Sequence, residues 1–227
     1  MGKPIRWGTP VPGAGGAKGA IARAGTVWTA RTVREAGAAR VVCARGDDGG
    51  ARWRDLGDIV AVDDPGRDLG DGCLLDRGRG EFWYAYRDNL PRARTPRFAI
   101  RVARSVDSGR TWQPHSTVAE ASGERRGLWS PSLLRLPDGR VLCLHDDEDT
   151  PFVQGFPGHQ WLVARTWNPV SGVWDAFTVV SRAHDPAHLS RDGMGTAVVS
   201  GRTGIVATLE SVGTDPLHAS VVRAVRS

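Results

Sequence analysis

A tryptophan that closes a glycine-containing turn recurs about every sixty residues along this chain, and that spacing limits the fold more than any other feature. Trp53, Trp112 and Trp174 stand 59 and 62 residues apart. Ahead of Trp112 runs the alternating segment Phe98-Ala99-Ile100-Arg101-Val102-Ala103-Arg104, then Ser105-Val106-Asp107-Ser108-Gly109-Arg110-Thr111. Ahead of Trp53 runs Ala39-Arg40-Val41-Val42-Cys43-Ala44, then Gly46-Asp47-Asp48-Gly49-Gly50-Ala51-Arg52, with Asp48 and Gly50 at the offsets of Asp107 and Gly109. Before Trp174 the unit is reduced to Asn168-Pro169-Val170-Ser171-Gly172-Val173. Each unit reads as a strand, a tight turn and a returning strand. A short Asp side chain accepts from turn N–H groups, Gly takes the positive φ, and the Trp packs over the hairpin.

A second element follows each hairpin. Leu136-Pro137-Asp138-Gly139-Arg140-Val141-Leu142-Cys143-Leu144 is a turn running into an apolar strand. Gly80-Glu81-Phe82-Trp83-Tyr84-Ala85-Tyr86 lies 59 residues earlier, and Gly204-Ile205-Val206-Ala207-Thr208-Leu209 about one period later. Short strands, frequent turns, no extended helical pattern and a fixed period predict an all-β chain of the β-propeller type. At about sixty residues per unit, 227 residues supply about four blades. The Gly/Pro/Ala-rich stretch 1–20 is read as a flexible N-terminal segment and 21–227 as a partial propeller. Ala219-Ser220-Val221-Val222-Arg223-Ala224-Val225-Arg226-Ser227 repeats Ile100 to Ser105, which implies open sheet edges and predicts self-association through them.

The octad Ser105 to Trp112 resembles the Asp-box of sialidase-like propellers, matching at Ser105, Asp107, Gly109, Thr111 and Trp112. Further segments are similar to exo-α-1,5-arabinanase-like members of that superfamily. They are Leu128-Trp129-Ser130-Pro131-Ser132, His145-Asp146-Asp147-Glu148, His159-Gln160-Trp161, Ser190-Arg191-Asp192-Gly193-Met194, Leu209-Glu210 and Asp68-Leu69-Gly70-Asp71-Gly72. The resemblance covers roughly residues 40 to 227. It implies a six-bladed type of propeller, here incomplete, and an exo-acting glycoside hydrolase that removes terminal sugars from an oligo- or polysaccharide with a carboxylate pair. Where it predicts a carboxylate before Pro131, this chain has Ser130.

Six glutamates are present: Glu35, Glu81, Glu120, Glu124, Glu148 and Glu210. Glu148 and Glu210 follow apolar strands of the kind that line the axial pocket. The expected catalytic carboxylates are therefore Glu210, Glu148 and Asp147. Arg191, Asp192, Gln160, Trp129 and Asp68 are the expected substrate or orienting contacts. The acidic run Asp146 to Asp149 reads equally as a solvated loop or a cation site. The alternative class is a non-catalytic carbohydrate-binding or interaction propeller, a degenerate enzyme in which Ser130 replaces the expected glutamate. An exo-sialidase is a second alternative, but its late-repeat Tyr nucleophile is missing, since Tyr84 and Tyr86 are the only tyrosines.

Composition narrows partners. The net charge is +5, yet only Lys3 and Lys18 are lysines, and the arginines are spread along the chain without an aromatic-interleaved stripe. Nucleic acid is not expected as a partner. No apolar run approaches the roughly 18 residues of a membrane span. Cys43, Cys73 and Cys143 sit in separate apolar runs and read as buried strand thiols rather than a disulfide or metal set. No cofactor or metal is called for. Gly13-Ala14-Gly15-Gly16-Ala17-Lys18-Gly19 lacks the order of a phosphate loop. His184-Asp185-Pro186-Ala187-His188 reads as a loop, because Pro186 breaks a helix and a third ligand is wanting.

Overall fold

The computed structural model describes residues 18–35, 37–182, 187–202, 204–213 and 221–227. Most of the Gly-rich stretch and most of the His184–His188 segment lie outside these residues. Four antiparallel sheets follow one another along the chain. The first holds β1 (Ile21–Arg23), β2 (Thr26–Glu35), β3 (Ala38–Asp47) and β4 (Arg52–Val62). The second holds β5 (Asp68–Gly78), β6 (Glu81–Asn89), β7 (Arg97–Ser105) and β8 (Gln113–Ser122). The third holds β9 (Leu128–Arg135), β10 (Val141–Asp147), β11 (Trp161–Asn168), β12 (Val173–Trp174) and β13 (Thr178–Ser181). The fourth holds β14 (Ser190–Ser200), β15 (Gly204–Gly213) and β16 (Val221–Arg226). In the first, second and fourth, strands pair in chain order, as consecutive hairpins dictate. These are four propeller blades, as the sixty-residue period predicts.

Apolar side chains on the two faces of each blade make three stacked interfaces. Trp28, Val41, Leu69, Phe82, Tyr84 and Tyr86 join the first blade to the second. Trp83, Ile100, Leu128, Val141 and Trp167 join the second to the third. Leu144, Leu162, Ala207 and Leu209 join the third to the fourth. In the second and third blades β6, β10 and β11 are buried on both faces, which is why they read as near-continuous apolar runs. Cys43, Cys73 and Cys143 are buried on β3, β5 and β10, and burial raises each thiol, Cys43 to about 12. Among the described residues one face of the fourth blade is uncovered, and Val198, Val212 and Val222 are exposed on it.

The turn before Trp112 shows why these residue types recur. Asp107 Oδ1 accepts from the Arg110 and Thr111 N–H groups at 3.0 and 2.9 Å, and Oδ2 accepts from Thr111 Oγ1 at 2.7 Å. Ser105 Oγ donates to Asp107 and accepts from Gly109 N, while Gly109 sits at φ +83°. Trp112 Nε1 closes the turn on the Gly109 carbonyl at 3.0 Å. The first copy keeps the shape without the bonds: Asp48 pairs with Arg52, and Trp53 packs directly on Gly46 and Gly50.

Desolvation works against the Asp107 charge, but the bonds from Thr111, Ser105 and Arg110 hold the carboxyl down at about 2. Its pKa is lower folded than unfolded, so its contribution is present above about pH 4 and is lost as pH falls towards 2. Asp107→Ala should therefore cost about 1–2 kcal/mol at pH 7 and much less at pH 2.5, in urea melts at the two pH values.

Candidate active site at the axial end of the inner strands

The site is built by one backbone device used three times. β5, β9 and β14 begin their blades, and each breaks register with its neighbour so that two residues oppose one. Asp71 and Gly72 oppose Tyr86, Ser130 and Pro131 oppose His145, and Met194 and Gly195 oppose Leu209. The first residue of each pair is left-handed: Asp71 at φ +49°, Ser130 at +52° and Met194 at +53°. None is glycine, so each carries roughly 1–2 kcal/mol of backbone strain. Strain repeated at equivalent places is a signature of a functional site.

The three bulges aim their side chains at one another. Ser130 Oγ donates to Asp71 Oδ2 at 2.7 Å and lies 3.0 Å from the Met194 sulfur. Asp71 also meets Arg87 Nη1 at 3.0 Å and Lys18 Nζ at 3.7 Å. Arg87 is held in place by both oxygens of Asp68, which also takes Arg34. Gly72 is required here, because a Cβ would lie 2.3 Å from the Ala85 carbonyl oxygen.

A second carboxyl closes the group. Asp146, on β10 next to the third bulge, accepts from Met194 N at 3.0 Å and is only 2% exposed. Burial pushes its pKa up to about 7; Lys18, the Met194 amide and Ser130 oppose the rise, and the Asp71 charge adds to it. Gly193 makes room for it, since a Cβ there would sit 2.7 Å from Asp146 Oδ2. The site thus joins one carboxyl group that holds its proton near neutrality to a carboxylate flanked by two cations. Opposed environments of that kind separate a proton donor from a charge stabiliser.

The residues singled out from sequence fall into several places. Glu148 and Arg191 are brought together as an ion pair, with Gln160 Oε1 2.8 Å from Arg191 and the Gly127 amide on the other Glu148 oxygen. Asp147 is turned the other way, accepting from Thr150 N at 2.9 Å and Thr150 Oγ1 at 2.7 Å, and so begins the short helix α1 (Asp149–Val153). Asp149 binds Arg126. The acidic run is therefore neither a solvated loop nor a shared cation cage: Asp146 and Asp147 are buried, and the four side chains take four separate partners.

Asp192 is fully buried, and the hydroxyls of Ser181, Ser190 and Ser211 fill its oxygens, so it orders the backbone rather than facing a pocket. Gln160 ties to the same stretch through its amide on the Asp192 carbonyl at 3.2 Å. Asp68 acts through Arg87. Trp129 packs edge-on against Phe98 between blades, with the Arg87 guanidinium 5.7 Å from its ring centroid. Glu210 is exposed on the uncovered face of the fourth blade, opposite Gly193 on β14 and Val222 on β16, and no hydrogen bond or ion pair joins it to the other candidates among the described residues.

Asp71 and Asp146 are the site residues that sequence reasoning passed over. A signal was present for the first: Asp71-Gly72, Ser130-Pro131 and Met194-Gly195 recur at intervals of 59 and 64, each before apolar residues. Nothing comparable marked Asp146, which stands beside Asp147 on the same strand and differs from it only in the face it presents.

Neither a family model nor a curated protein sequence matches the chain. Solved structures do match it. An α-L-arabinofuranosidase from Fusarium graminearum, in complex with an iminosugar inhibitor, superposes with a TM-score of 0.66 at 16% identity over 92% of this chain and 61% of its own. A Penicillium chrysogenum α-L-arabinanase complexed with arabinobiose gives 0.68 at 15% identity over 88% of this chain and 57% of that one. An endo-arabinase from Bacteroides thetaiotaomicron gives 0.56 at 9% identity, covering 92% and 73%. This chain spans about three fifths of the length of the first two. At such identities the likeness concerns the fold: the chain has the β-propeller fold of these enzymes, with four blades among the described residues.

Proposed function

We propose that the chain is an exo-acting glycoside hydrolase that removes terminal sugars from arabinan-like saccharides, with Asp146 as proton donor and Asp71 as the charged partner. The observation that carries this reading is the convergence of Asp71, Ser130 and Asp146 at the axial end of the inner strands, where Asp146 keeps its proton to about pH 7. The arabinobiose bound in the Penicillium chrysogenum structure supports the substrate class. In this reading Asp146 protonates the leaving oxygen as the glycosidic C–O bond breaks, Asp71 stabilises the positive charge that develops on the sugar ring, and water then bonds to the anomeric carbon and returns a proton to the Asp146 carboxylate. Ser130, in the place of the expected carboxylate, positions Asp71. The exposed Met194 thioether covers the pair, and the sugar must displace it.

The test is hydrolysis of linear arabinan and of aryl arabinofuranosides by wild type, Asp71→Asn and Asp146→Asn, with Glu148→Gln and Glu210→Gln as comparisons. Activity lost in the first two variants and kept in Glu210→Gln supports the assignment. Activity that survives Asp146→Asn and disappears in Glu210→Gln or Glu148→Gln moves the chemistry to those glutamates.

The second reading, a carbohydrate-binding propeller without catalysis, is favoured by Ser130 and by the deep burial of Asp146. Arabinotriose binding with no hydrolysis would establish it. An exo-sialidase is disfavoured, because Tyr84 and Tyr86 lie in the core between the first two blades, where burial raises both hydroxyls, Tyr86 to about 12. We also propose self-association through the uncovered face of the fourth blade. Sedimentation velocity should show mass rising with concentration, and Val222→Lys should reduce it. A single monomer boundary at all concentrations would end that idea.

A further inference from the structure

A cleft of about 450 Å³ opens over the second blade, off the axis. Asp68 pairs with Asn89 and Arg97 with Ser122, so the ends of β6, β7 and β8 that line it lie at the same end of the blade as Asp71. Its charged wall consists of Arg67, Arg97, Arg101 and Arg126 facing Asp88, Glu120 and Asp149. Leu90 and Phe98 give it an apolar side.

The charge pairing is incomplete in one direction only. Asp88 is buried and takes both Arg67 and Arg101, the latter at 2.8 Å. Arg101 reaches on to Glu120 at 3.1 Å and to Thr117 Oγ1 at 2.9 Å. Asp149 takes Arg126 through Nε alone. Every carboxylate in the cleft thus has an arginine, whereas the Arg97 guanidinium has no hydrogen bond or ion pair among the described residues. Four guanidiniums face three carboxylates, and unused N–H donors outnumber free acceptors. The complement of such a wall is an anion of carboxylate shape, which a guanidinium fork meets with two parallel bonds.

We propose that this cleft binds a uronate unit, a sugar ring carrying a carboxylate, with Arg97 as its principal contact. The volume suits one or two sugar rings. That the ligand is a saccharide rests on the reading above; that it is anionic rests on the arginines alone. The unit would be a neighbour, on the same glycan, of the sugar handled at the axial site.

The experiment is calorimetric titration of the full chain with a galacturonate trisaccharide and, separately, with neutral arabinotriose. The uronate should bind with an affinity that falls as salt rises. Arg97→Gln should weaken it about tenfold, the loss of one charge-assisted hydrogen bond. Arg97 is an exposed side chain, and circular dichroism of Arg97→Gln controls for folding. Absence of uronate binding to wild type, or binding that Arg97→Gln does not alter, overturns the proposal. Uronate binding that depends on Arg97 without any arabinan hydrolysis supports the cleft while removing the enzymatic reading.

Discussion

Asp146→Asn should lose at least about a hundredfold in hydrolysis and, at the same time, make the protein more stable at alkaline pH. The activity loss is that expected when a general acid is removed. The stability gain follows from burial. The folded Asp146 carboxyl is raised from 3.8 to about 7, so the folded state holds more protons than the unfolded chain between those values. Stability from this group is therefore greatest below pH 4, falls as pH rises to about 7, and stays at the lower level above it. Asparagine is neutral throughout and still accepts from the Met194 amide. It should gain on the order of 2–4 kcal/mol at pH 8 and almost nothing at pH 4. Urea melts at pH 4, 6 and 8 measure this, and equal effects at pH 4 and 8 would contradict a buried protonated carboxyl. The wild-type rate should fall on an alkaline limb centred near pH 7, provided Asp146 is the donor.

The second large effect is expected at Asp192. Its two oxygens take hydroxyls from Ser181 on β13, Ser190 on β14 and Ser211 on β15, and so tie the third blade to the fourth. Asp192→Ala leaves these three hydroxyls without their shared acceptor inside the protein, at a cost of about 3–5 kcal/mol. For a chain of this length the melting temperature should drop by roughly 6–20 °C. Asp192→Asn should cost far less, because its carbonyl still serves two hydroxyls and its amide can donate to the third. Gly193 and Met194 follow directly on β14, so the alanine variant should also lose activity beyond what unfolding explains. Thermal melts and initial rates on the two variants check both effects. An alanine variant as stable as wild type would show that the serine cluster organises nothing.

Much of this architecture was legible from the chain alone, and for a local reason. A tight turn needs particular residues at particular offsets, so Asp107, Gly109, Thr111 and Trp112 declare their hairpin wherever it is placed. Repeating such a hairpin every sixty residues leaves few arrangements, and the four sheets follow. The buried cysteines and the apolar runs of β6, β10 and β11 were readable in the same way, since burial of both blade faces leaves a continuous apolar stretch.

The site was much less legible. Ser130 stood out as a departure from a resemblance, but its partners could not be read. A bulge moves one residue of a strand out of alternation, and only the packed strand shows which one. Asp71 therefore turns inward although its neighbours suggest a turn. Adjacent carboxylates on one strand face opposite sides: Asp146 enters the axial group, while Asp147 accepts from Thr150 in the short helix that follows. Glu210, attractive for its place after an apolar strand, is exposed and makes no bond to Asp71, Ser130 or Asp146 among the described residues. The turns, the period and the blade were determined by sequence, because they depend on contacts a few residues apart. Which carboxyl group keeps its proton was decided only by tertiary structure, because burial and charge at Asp146 come from residues on three different blades.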